Sequence, residues 1–160
     1  MDPAHLHLIL NHLPVIGTAF TLALLLVALL KNSEELKRVS LAFLVAVTLL
    51  AVPVYLTGAP AEQSIMQLPG IEEAFIEQHK GAAQWAFGAQ VVLGVVALVG
   101  WFVTRRGKPL PKWCAGVLLV LTLAVGGLMA RAANLGGQIR HPEIRAGQPP
   151  AAMTQQKEEH

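Results

Sequence analysis

Residues 1–30 read MDPAHLHLILNHLPVIGTAFTLALLLVALL, and this stretch decides what kind of protein the chain makes. No charge interrupts Leu13 to Leu30, a run long enough at about 1.5 Å per residue to cross the hydrocarbon of a bilayer. Just ahead of it stand His5, His7 and His12. An imidazole at the edge of a membrane is costly unless a partner, a metal or water satisfies it. The same stretch therefore predicts a membrane helix and marks where chemistry is concentrated.

Three further apolar runs follow, over residues 39–57, 82–103 and 113–130, separated by short polar segments. The chain is 54% hydrophobic and only 14% charged, and its mean hydropathy is positive. The runs are apolar almost all round, whereas the helices of a soluble bundle carry a polar face. The expected fold is all-α: a four-transmembrane-helix bundle formed by residues 1–145, with a disordered tail over 146–160 that is rich in Ala, Pro, Gln and charge. The first residues lack a basic segment and no small-residue cleavage site follows the first run, so the first helix is expected to persist in the mature protein. The single cysteine, Cys114, excludes an internal disulfide and the Cys-x-x-Cys-His attachment of a c-type haem. A net charge of +2, unevenly distributed, gives no support to a nucleic-acid partner.

Orientation follows from the basic residues. The connections 31–38 and 104–112 hold seven of the twelve Lys and Arg and only two acids, while the other side holds eight acids. That asymmetry predicts cytoplasmic basic connections, with both termini on the outer, periplasmic side of a bacterial inner membrane. His5, His7, His12, His79, His141 and His160 then all fall on the outer side.

Local signals sharpen the placement. Asp2-Pro3 is a helix start, with Asp as N-cap and Pro at the first helical position. On a helix from Pro3, His5 and His12 share a face, His7 points elsewhere, and Pro14 kinks the chain just beyond His12. Residues 71–78 have the pattern of a short amphipathic surface helix, and the third span is expected to begin near His79. Thr48, Thr57, Gln84, Gln90 and Asn11 are polar groups in or near the membrane, which more often bridge helices than bind quinone.

The histidines lack the spacing of a carboxylate-bridged di-iron site or of a His-Glu-x-x-His zinc enzyme, and copper's soft ligands are scarce. A b-type haem suits the pattern better, needing two axial imidazoles from different helices, small residues against the ring and cations for its propionates. His12 and His79 are the expected axial pair, with Ala82, Ala83 and Ala86 leaving room for the macrocycle. Arg131, Arg140, Arg145 and Lys80 are the expected propionate partners. His5 lies roughly 10 Å along the helix from His12. A second haem ligated by His5 or His7 together with His141 therefore has room.

Asn11-His-Leu-Pro14 entering the first span, His79 followed by Trp85, and Gly136-Gly137 followed by His141 resemble a family of small four-helix bacterial membrane proteins. The resemblance covers most of residues 5–145 and implies b-type haem on the periplasmic side, with His12, His79 and His141 among its ligands. The expected function is electron transfer by a membrane-embedded cytochrome, between the quinone pool or a membrane partner and a periplasmic carrier such as cytochrome c. The alternative is a cofactor-free accessory subunit anchoring a larger redox or membrane complex.

Overall fold

A computed structural model describes residues 2–145; the expected tail over 146–160, with His160, lies outside the described residues. The described chain is all-helical, with α1 (Pro3–Leu10), α2 (His12–Leu30), α3 (Glu34–Ile65), α4 (Glu73–Thr104) and α5 (Lys112–Arg140), closed by a 3-10 turn at Pro142–Ile144. Taken as one span, Pro3–Leu30 joins α3, α4 and α5 in giving four helices long and apolar enough to cross a membrane, as a multi-pass membrane protein requires. Large apolar side chains such as Ile16, Leu49, Val92 and Val120 are exposed on the outside of the bundle, where lipid would cover them.

Helix boundaries follow the capping chemistry. The Asp2 carboxylate accepts from the Ala4 N–H, and the Ser33 hydroxyl accepts from the Leu36 N–H at the start of α3. The break between α1 and α2 falls at Asn11, before His12 rather than after it. Proline at 14 has no N–H for the Leu10 carbonyl and its ring crowds that carbonyl, so the disturbance is felt one turn upstream. The predicted surface helix is not separate: residues 73–78 are the opening turns of α4, which runs unbroken to Thr104. α3 likewise extends through Pro53 and Pro60 to Ile65. Only residues 66–72 are left as connection, turned at Gly70 by a positive φ of 77°.

The four spans pack in a ring, each of α2, α3, α4 and α5 touching the next and α5 returning to α2. α1 departs from the ring and packs against α3. Close approach of α3 to α4 depends on Gly94, where an added Cβ would stand 2.3 Å from the Thr48 hydroxyl oxygen. Beside it, the wholly buried Gln90 side chain bridges three helices: its Nε2 donates to Thr48 Oγ1 at 2.8 Å, and its Oε1 accepts from Thr18 Oγ1 at 3.3 Å. Those polar groups bridge helices, as the sequence reading expects.

At the end carrying the basic connections, Lys37 is buried against the Glu34 carboxylate at 2.6 Å, and the other Glu34 oxygen accepts from the Leu110 N–H at 2.8 Å. One carboxylate thus ties the first connection to the third. Gly94→Ala should lower stability by about 1–3 kcal/mol, the usual cost of an inserted methyl that forces backbone apart. Gly88→Ala, where nothing lies within 4 Å of the new carbon, should be neutral or stabilising. Thermal unfolding of both variants in the same detergent checks the contrast.

Candidate functional site

The end of the bundle opposite the basic connections carries His5, His7, His12, His79 and His141. Two of them face each other. The rings of His7 on α1 and His79 on α4 are 6.5 Å apart at their centroids and nearly perpendicular, at 77°. Both are half-buried.

Each ring is held by a specific acceptor. His79 Nδ1 lies 2.9 Å from the backbone carbonyl of Ala132 on α5. A carbonyl only accepts, so this nitrogen carries the proton, and the neutral ring presents a bare Nε2. His7 Nδ1 lies 3.1 Å from Thr57 Oγ1 on α3, against which α1 packs. Gly136 leaves space for His79, since a Cβ there would come within 3.1 Å of the ring at both Cε1 and Nδ1. Two imidazoles, carried on α1 and α4, are therefore held by α3 and α5.

The expected partner of His79 is placed differently. His12 opens α2 on the exposed surface, and its Nδ1 turns back to the Leu8 carbonyl at 2.8 Å. His5 and His12, seven residues apart, share the exposed face, and His7, two residues from His5, falls on the face turned toward the bundle. His5 is exposed on α1. His141, also exposed, is occupied by its neighbour Glu143, with Nδ1 to carboxylate oxygen 2.8 Å. Among the described residues no three His, Cys, Asp or Glu side chains gather as a metal cluster.

The four cations divide in the same way. Arg145, only 6% exposed, is saturated: its guanidinium donates to the Glu72 carboxylate and to the carbonyls of Gln138 and Ile139, and stacks 3.9 Å from the Phe75 ring centroid. It straps the segment after α5 onto the start of α4. Lys80 bridges Glu77 at 3.0 Å and Glu62 at 3.4 Å. Arg131 and Arg140 are exposed and form no ion pair with another described residue. Ala82 and Ala86 do not line a slot beside the histidines; they are buried with Met129 and Ala132 in one core cluster, where small side chains bring α4 close to α5.

Two imidazoles holding one metal from opposite sides at about 2 Å each would set their ring centres roughly 6 Å apart, and the 6.5 Å separation of this pair is of that size. Two imidazoles are a donor set that would suit iron, and one ring nitrogen of each is already engaged, as in metal-binding histidines generally. Sequence reasoning gave His7 a place only in a second site with His141, and gave Thr57 no role toward it; the signal for its inward direction was that His7 lies off the face shared by His5 and His12. No protein family, curated protein or solved structure gives a match to the chain.

Outside the spans, the Glu143 carboxyl is held below the usual glutamate range, first by its own backbone N–H and then by His141. A depressed carboxyl keeps its contacts above the ordinary pKa and loses them as pH falls through the lowered one. An NMR titration of Glu143 should therefore give a midpoint below about 4.3. His141→Ala should raise that midpoint only part of the way, because the backbone contact remains.

Proposed function

We propose that this protein is a membrane-embedded b-type cytochrome in which His7 and His79 are the axial ligands. The observation that carries the reading is the facing of two imidazoles from α1 and α4, 6.5 Å apart. When bound, haem supplies a one-electron iron couple, and the protein contributes ligation, burial and placement. Bis-imidazole ligation fills both axial positions, which favours electron transfer over oxygen chemistry. Among the described residues, Arg131 and Arg140 are the basic groups at this end left to meet propionates.

By the excess of Lys and Arg in the opposite connections, the histidine layer belongs on the periplasmic side of a bacterial inner membrane. The electron partners are then the quinone pool or a membrane subunit on one hand and a periplasmic carrier on the other. His5, His12 and His141, all exposed, sit where a second haem would need a further ligand from outside this pair.

One observation favours the anchor-subunit reading as a second choice. An apolar crevice between α2 and α5, lined by Ala19, Ala23, Leu26, Leu119 and Leu123, would accept a neighbouring helix in a larger complex. Absorption spectroscopy with a pyridine haemochrome assay separates the two readings. Protein expressed with ample haem should purify with a low-spin b-type spectrum. His7→Ala and His79→Ala should each lose more bound haem than the about 10–100-fold loss in affinity typical of removing an outer-shell partner. His12→Ala should keep the wild-type spectrum. Colourless wild-type protein, or zinc or copper in place of iron, would remove the cytochrome reading.

A further inference from the structure

We infer that Thr57 is a positioning residue that makes His7 a nitrogen ligand, by fixing which of its ring nitrogens carries the proton. This rests on the reading of His7 as a ligand and names the group that prepares it. The argument begins with a hydroxyl that has one proton and two places to send it. Thr57 Oγ1 is 2.9 Å from the Pro53 carbonyl and 2.9 Å from the Val54 carbonyl of its own helix. Both are acceptors, so the hydroxyl proton points back along α3.

Toward His7 the same oxygen therefore offers only a lone pair. With its proton directed to those carbonyls, the hydroxyl accepts from His7 Nδ1, 3.1 Å away, and the Val54 carbonyl also faces this ring. The ring is then protonated at Nδ1 and bare at Nε2, the form that the Ala132 carbonyl imposes on His79. Two unrelated acceptors, a side-chain hydroxyl on α3 and a main-chain carbonyl on α5, thus give the two facing imidazoles the same tautomer. The carbonyl cannot be removed by mutation, but the hydroxyl can.

Thr57→Val keeps the shape and removes the acceptor; Thr57→Ser restores it. Full-length protein labelled with 15N-histidine, in detergent, reads the tautomer directly from the ring nitrogens, with His7→Gln identifying the His7 signals. In Thr57→Val, His7 should pass from a single Nδ1–H form to a mixture of tautomers, while the His79 signals stay in place and report an intact bundle. Thr57→Ser should match the wild type. In haem-loaded protein, Thr57→Val should weaken haem binding by about 10-fold, in line with loss of an outer-shell partner, and Thr57→Ser should recover it. A His7 tautomer unchanged in Thr57→Val, or lost equally in Thr57→Ser, would overturn the inference. The ring-nitrogen measurement needs no haem, so a wild type that binds none would count against the cytochrome alone.

Discussion

One buried amide fixes the relative height of the helices. Gln90 joins α2 through Thr18 and α3 through Thr48, in an interior where an unsatisfied polar group would cost several kcal/mol by common estimates of about 2–7 kcal/mol. Sliding α4 by one turn, about 5.4 Å, would break both contacts, and sliding α2 or α3 would break one. From that level His79 lies eleven residues along α4 and Thr57 nine along α3, which are climbs of roughly 16 and 14 Å. His7 lies eleven residues back from Thr18 through the break at Asn11. The convergence of His7, Thr57 and His79 in one layer is thus set by a polar contact deep in the bundle.

Glycine and alanine supply the lateral half of the same placement. At Gly94, α3 and α4 approach until a methyl group would overlap the Thr48 side chain. At Gly136, α5 leaves the space that the His79 ring fills. Ala82, Ala86 and Ala132 close the gap between α4 and α5 below that ring. Without a hydrophobic drive between helices in lipid, packing and interhelical hydrogen bonds carry association, and small residues are what allow both. The small residues here are therefore spent on helix contact.

The four spans were legible in the sequence because long uncharged runs have few other uses, and the Asp2 cap and the polar bridges of Thr48 and Gln90 were legible for equally local reasons. What could not be read was which face of the first helix turns inward. His5 and His12 do share a face, as their seven-residue interval requires, but that face is the exposed one and His7 is the histidine turned toward the bundle. The extent of α4 was hidden for a related cause: residues 71–78 are amphipathic, and a helix leaving the membrane has the same pattern as one lying on it. Arg145 had the look of a free cation because its partner Glu72 lies seventy-three residues away. Composition finds the layer; long-range contact decides who meets whom within it.

That distinction bears on why the pair itself is informative. A lone half-buried histidine is readily satisfied by one acceptor and water, and His12 and His141 show how easily, each bonded to a group within four residues. His7 and His79 are bonded instead across fifty and fifty-three residues, to α3 and α5. Ordering side chains across that separation has an entropic cost that a solvated histidine avoids. Bringing their rings to 6.5 Å adds repulsion if both are protonated. Such an arrangement gains most from a shared electrophile, which is why the proposed iron ligation suits this pair better than it suits any histidine on the exposed surface.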